Sequence, residues 1–411
     1  MKGLFRSPKG RANCLYIGER LIDCTAHSIH HMLSYSPWSY QQLFDQIFKQ
    51  ALKALQAHKR PIYLLIDEVG FRKKGKHSAC VGKQYLGCIG KQDNGQVAVT
   101  AALSSAEFYV PVEMELFMPS DWSKDKKRRK KAGIPMECNQ MSKPQIALKM
   151  IHKMAKKIKG LEFVIFDALY GSCTELLASL IESKIPFIAE VRENITFYLQ
   201  EPTMGIPIKK SGGKGRQFTV PRPNKKSISA RNYATQLNLK KNFKPMQVRM
   251  GTKGPVKGIY HRRKVWVYCK QTSQFLPMHL LIRINKDGTH KFAFCYHSQP
   301  CSVKRMAVAQ AQRVFVERVF EEGKNITGMG DYQVRSWNGF HKHMALTSLT
   351  LLYIMENKLK QKPGNKITAY DIQELINTTI IFITTLDQIS NQIRNKNARL
   401  NRAMTRIKKK G

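Results

Sequence analysis

Two short apolar runs in this chain each end in an acid. Pro61-Ile62-Tyr63-Leu64-Leu65-Ile66 leads into Asp67-Glu68, and Phe163-Val164-Ile165-Phe166 leads into Asp167. Runs of this length without polar interruption read as buried strands, and an acid at the carboxyl end is delivered to the edge of a sheet. Residues 96–103 and 109–117 alternate as two further strands. Asp93-Asn94-Gly95 predicts a turn ahead of them, and residues 84–90 read as irregular. From Pro144 a helix presents Ala147, Met150, Ile151, Met154 and Ile158 on one face, up to Gly160. The stretch Tyr170-Gly171-Ser172-Cys173-Thr174-Glu175 predicts a turn into a capped helix over 176–181, and residues 186–191 read as another strand. The order is β-β-β-α-β-α-β, with acids after the first and fourth strands.

A third acid comes from the segment Gln312-Arg313-Val314-Phe315-Val316-Glu317-Arg318-Val319-Phe320-Glu321-Glu322-Gly323-Lys324. At roughly 100° per residue, Arg313, Glu317 and Lys324 fall within about 40° of one another, while Val308, Phe315 and Val319 form an apolar sector. A carboxylate flanked by two cations suits phosphate chemistry, because the acid takes a metal and the cations take phosphate oxygens. An ordinary surface helix with ion pairs has the same spacing. Glu321 and Glu322 compete with Glu317 for the role, and the shared helix line with Arg313 and Lys324 favours Glu317.

The charge narrows the partner. Seventy Lys and Arg against 28 Asp and Glu give a net charge of +42, an excess that a polyanion such as double-stranded DNA neutralises. The densest cluster is Lys126-Lys127-Arg128-Arg129-Lys130-Lys131, in a charged excursion over 119–143, and Lys127, Arg128 and Arg129 are candidate DNA contacts. No apolar stretch reaches the roughly 20 residues of a membrane span, and the N-terminus lacks a signal-peptide run. Nine cysteines without a C-x-x-C pair point to a reduced, cytoplasmic protein. His27, His30 and His31 with Asp23 read as a polar helix face in preference to a metal site.

Five regions follow: a helical lobe over 1–60, core segments over 61–192 and 301–360, a β-rich insertion over 193–300, and a basic helical region over 361–411. In the insertion, residues 264–270, 278–284 and 291–297 alternate as strands, the last two joined around Lys286-Asp287-Gly288. Trp266 lies in Arg262-Arg263-Lys264-Val265-Trp266-Val267-Tyr268, where it is a candidate to stack on an extruded base while Arg262 and Arg263 hold the backbone. Asp67, Asp167 and Glu317 together form a candidate site for two hard divalent ions.

Several motifs carry a family likeness: Leu65-Ile66-Asp67-Glu68-Val69-Gly70-Phe71, Lys83-Gln84-Tyr85-Leu86-Gly87, Phe166-Asp167-Ala168-Leu169-Tyr170-Gly171 and the Glu317 helix. With Ser36-Pro37-Trp38 and Arg335-Ser336-Trp337-Asn338-Gly339-Phe340-His341-Lys342-His343, they resemble the DDE transposases of bacterial insertion sequences over most of the chain. The Y-x2-R-x3-E-x6-K signature of that family falls on Arg313, Glu317 and Lys324, with Gln310 at the tyrosine position. The resemblance implies an α/β, RNase H-like core, a mixed five-stranded sheet with helices, interrupted by the insertion and flanked by helical termini. It further implies cleavage of element ends and transfer of their 3′ ends to target DNA with Mg2+ or Mn2+, two ions per site. A homodimer in a synaptic complex, close to the nucleoid, is the implied assembly. Two rivals share the basic surface: a nuclease without strand transfer, and a non-catalytic protein that binds element ends.

Overall fold

The computed structural model describes residues 2–5, 7, 9–20, 24–207, 218–251, 254–361, 367–380 and 390. Asp23, the glycine-rich 209–216 stretch and the basic C-terminal tail lie outside them.

Strand β1 (Ile62–Arg72) is the centre of the molecule. Its first five residues are all buried, as a strand covered on both faces requires. Strands β2 (Gly82–Leu86), β3 (Lys91–Ser105) and β4 (Phe108–Leu116) follow as antiparallel neighbours. Strands β5 (Leu161–Phe166) and β6 (Phe187–Val191) then add in parallel on the other side of β1. The resulting order β4-β3-β1-β5-β6 is a mixed five-stranded sheet of RNase H-like form. Helices Tyr40–Ala57 and Trp337–Leu359 pack together and against β4, while Lys143–Ala155 packs on β3. Ser39 caps the first of these by accepting from the Gln42 amide.

Two local expectations are corrected. Asp93, Asn94 and Gly95 are not a turn; they lie inside β3, paired with Gln84, Lys83 and Gly82 of β2, a strand whose Gln84, Tyr85 and Leu86 belong to the stretch expected to be irregular. The turn sits instead between Leu86 and Lys91, where Gly90 supplies the positive φ of 65°. Further on, two small two-stranded sheets of the insertion pair Thr196–Phe197 with Ile228–Ser229 and Met204–Gly205 with Arg222–Pro223, while its long strands join the core sheet. Strands Lys244–Gly251, Gly254–Cys269, Gln274–Ile284 and His290–Tyr296 form an antiparallel meander whose last member pairs with β6, giving one sheet of ten strands. The free edge of β6 is thereby closed.

Candidate active site

Asp67 does not terminate its strand. It sits in the middle of β1, at the point where the neighbouring β5 stops: Ile66 pairs with Phe166, and the next residues are Asp67 and Asp167. Two aspartates therefore leave adjacent parallel strands at the same level, where a sheet of this type opens a crevice. Asp67 Oδ1 accepts from the Glu68 amide at 2.8 Å. Asp167 caps the short helix Ala168–Gly171, its Oδ1 accepting from the Leu169 amide at 3.0 Å. That turn packs closely on β6, since a Cβ at Gly171 would fall 2.0 Å from the Glu190 carbonyl oxygen.

The third element approaches from the C-terminal half. Helix Val303–Gln310 and helix Val314–Ile326 are joined by a 3-10 turn, Ala311–Arg313. Buried Phe315 and Val319 anchor the second helix, with Phe315 stacked on Tyr109. Arg313 thereby reaches the strand ends: its Nη2 lies 3.0 Å from Asp67 Oδ2. Glu317, one turn on, is exposed and borders a cleft of about 430 Å³. Glu322 takes no part, because it is buried and accepts from the Tyr109 hydroxyl at 2.6 Å. Lys324 donates to the Gly70 carbonyl of β1 at 3.1 Å, which holds the helix to the strand.

The electrostatics join these groups. Burial raises the Asp67 carboxyl to about 6; Arg313 opposes that rise and the charge of Asp167 adds to it. For Arg313 itself burial pushes the pKa down, but Asp67, Glu190, Asp167 and Glu317 outweigh it and the net shift is upward. Tyr170 is pushed well above its usual range by burial and by the charges of Glu68, Asp67 and Asp167, and its hydroxyl has no hydrogen-bond partner among the described residues.

The donor set is chemically right for magnesium or manganese, being three carboxylates with hard oxygen atoms. Its arrangement is not: among the described residues no group of three acidic, histidine or cysteine side chains is placed to hold an ion. Arg313 occupies one side of Asp67.

Other candidates lie elsewhere. Trp266 is half-buried opposite Pro277 and is six residues from Tyr260 of the cleft, about 20 Å at strand rise. Arg262 donates to the Cys301 carbonyl, and Arg263 is exposed. Arg129 is buried and its Nη2 donates to the carbonyls of Pro135, Met136 and Cys138, a structural staple. Arg128 stacks on Trp122 and pairs with Asp121, whereas Lys127 is exposed. The cations that do line the cleft, Arg249, Lys257, Arg283, Lys286 and Lys291, escaped sequence reasoning as contacts, as did Glu190. No local motif marks them; only strand register sets Arg283 opposite both Tyr260 and Lys291.

A mixed sheet in this order, with two aspartates released beside its central strand, defines the RNase H-like class. Within it, the chain belongs to the DDE superfamily endonucleases, whose family profile matches residues 6–255, a span that includes both aspartates. It is also similar to the probable transposase for insertion sequence element IS701 of Microchaete diplosiphon, 34% identical over 167 residues, which are 40% of this chain and 40% of that protein. The chain thus matches well under half the length of that relative. Among solved structures, the NurA nuclease of Sulfolobus solfataricus aligns over 77% of this chain and 93% of its own, at 10% identity and a TM-score of 0.27, a likeness too slight to bear on function. No helix among the described residues is long and apolar enough to cross a membrane.

Proposed function

We propose that this chain is a DNA transposase that binds the ends of an insertion sequence, cleaves them and joins the freed 3′ ends to target DNA. The observation that carries the proposal is the placement of Asp67 and Asp167 just beyond paired residues of two parallel strands, with Arg313 of the Glu317 helix against them. In this reading Asp67, Asp167 and Glu317 would hold Mg2+ or Mn2+, two ions per site, which when bound would supply Lewis-acid activation of an oxygen nucleophile and charge stabilisation at the departing oxygen. Arg313 orients the phosphodiester, and Lys324 fixes the helix that carries Glu317. The cations of the cleft hold the duplex backbone, and Lys127, Arg263 and Trp266 are outlying contacts. Working assemblies are homodimers that bring two ends together.

Strand transfer separates this reading from plain hydrolysis. Oligonucleotides carrying pre-cut element ends, mixed with supercoiled plasmid and Mn2+, should yield covalent joint molecules with wild-type protein and none with Asp167→Asn. Cleavage without joint molecules would reduce the protein to a nuclease. Unaltered activity in Asp167→Asn would remove the acids from the chemistry altogether.

A further inference from the structure

The strand that carries Asp67 loses half of its support at that residue. On one side β3 continues beside it, pairing Thr100 with Asp67 and Val99 with Glu68. On the other side β5 ends at Phe166, opposite Ile66, so the parallel pairing stops one residue before Asp67. A second tether comes from behind the sheet. Successive side chains of a strand point to opposite faces, so Glu68 is directed away from the side on which Arg313 meets Asp67. Its Oε2 lies 2.8 Å from Lys143 Nζ, with the lysine 17% and the glutamate 23% exposed.

Lys143 opens the helix Lys143–Ala155, which packs on β3 and against the turn Ala168–Gly171 that follows Asp167. A cation at that end opposes the helix dipole, and the first turn holds no acid to offset it. Nor does the helix need Lys143 as a cap. Ser142 accepts from the Gln145 amide, and the Gln145 side chain accepts from the Ser142 amide. Helix formation therefore gives no reason for a lysine here, whereas the ion pair with Glu68 does. The Phe117 ring, its centre 5.6 Å from the ammonium, flanks the pair. One bond carries the tether to the acid, since the Glu68 amide donates to Asp67 Oδ1 at 2.8 Å. A shift of that peptide is a shift of the carboxylate.

We propose that Lys143 is a positioning residue for Asp67, acting through the Glu68 peptide. Its ammonium fastens Glu68 to the helix behind the sheet, and the fastened peptide sets the angle at which Asp67 presents its carboxylate. The last residue of the charged 119–143 excursion thus serves the site from the rear, without touching DNA. The inference rests on the reading of Asp67 as one of the catalytic acids.

Two measurements on the full chain test it. Amide hydrogen exchange reads the tether itself and needs neither DNA nor metal. In Lys143→Met the Glu68 amide should exchange about tenfold faster, while Leu64 and Leu65 keep their wild-type rates. Single-turnover cleavage of a duplex carrying an element end, titrated with protein in Mn2+, reads the consequence. Lys143→Met should lower the rate at saturation about tenfold and leave the half-saturating concentration unchanged, because a misplaced carboxylate slows the chemistry without weakening DNA binding. Lys143→Arg, which keeps the pair, should recover most of the rate. Glu68→Gln should match Lys143→Met, and the double variant should be no slower than either. Wild-type exchange at Glu68 with a wild-type rate in Lys143→Met would overturn the proposal. A loss confined to the half-saturating concentration would overturn it too, making Lys143 a DNA contact, as would a loss that only follows the unfolded fraction in urea. Should Lys143→Met not fold, the same outcomes in Glu68→Gln decide. Asp167→Asn separates the two levels: intact cleavage there would sink the assignment of the acids, whereas its loss beside undiminished cleavage in Lys143→Met would sink the positioning alone.

Discussion

Residues 337–343 and the turn that carries Arg313 lie close together in the chain and are similarly rich in polar side chains, yet folding treats them differently. In the first, His341 Nδ1 meets the Trp337 carbonyl and His343 Nε2 the Gly328 carbonyl, each at 2.9 Å, and Lys342 donates to the carbonyl of Ser36. Tyr40 stacks on His341, and Phe340 packs edge-on against Phe71 and Tyr332. Two atoms remain open there, Trp337 Nε1 and His341 Nε2, the latter 3.7 Å from the Glu115 carboxylate. Around Asp67, by contrast, Arg313 Nε and Nη1, both polar atoms of the Gln310 amide and the Tyr170 hydroxyl are buried without partners among the described residues. Each such atom costs about 1–3 kcal/mol. Polar groups closed by the fold hold it together, while groups left open each detract from its stability.

The largest effect should come from the open region. Asp167→Asn should lower duplex cleavage about a thousandfold, some 4 kcal/mol of barrier, while duplex binding and melting temperature change little. If this variant unfolds, Asp167 belongs with the closed groups and the division fails. The closed region should answer through stability. Phe340 is 1% exposed, so Phe340→Ala should cost about 3–5 kcal/mol in urea unfolding and leave the chemistry of the folded fraction intact.

Acid separates the regions by sign. Burial pushes His343 down to about 4, helped by the charge of Lys73 and opposed by its bond to Gly328. The unfolded chain takes that proton near pH 6.5, so it binds more protons than the folded chain between 6.5 and 4, and stability falls as pH drops through that window. Asp67, raised to about 6, runs the other way: its proton favours the folded chain, so acidification relieves its cost there. Comparing wild type with His343→Gln isolates the histidine. The stability of wild type relative to the variant should fall by about 2 kcal/mol between pH 7 and pH 5. A difference that stays flat would mean His343 is not held neutral.

How far the sequence disclosed all this follows the same division. The runs before Asp67 and Asp167 were legible because continuous burial leaves an unbroken apolar signature. Glu317 and Arg313 were legible because helical spacing puts them on one face, although the 3-10 turn at residues 311–313 interrupts the helix they were expected to share. Asp93-Asn94-Gly95 misled because its turn chemistry is used within a strand, where the Asn94 side chain donates to the carbonyls of Lys73 and Gly75. The cleft cations could not be found at all, since Arg249, Lys257, Arg283 and Lys291 come from four strands whose register is a tertiary fact and Lys286 from the turn between two of them. Arg129 misled most simply: in a run of six basic residues nothing local says which one points inward.

That run also holds the smallest and sharpest test. Lys127 is exposed, whereas Arg129 is tied to three backbone carbonyls, so the two neighbours should separate cleanly. Lys127→Ala should leave unfolding unchanged. If Lys127 meets a phosphate, the slope of log affinity against log salt for duplex should become shallower by about 0.9, the release of one counterion. Arg129→Ala should instead destabilise the chain by about 2–3 kcal/mol, because three carbonyls lose a charged donor together. Its salt slope should stay at the wild-type value in whatever fraction remains folded. A shallower slope for Arg129→Ala with undiminished stability would show that its guanidinium faces DNA, and the inward staple would be wrong.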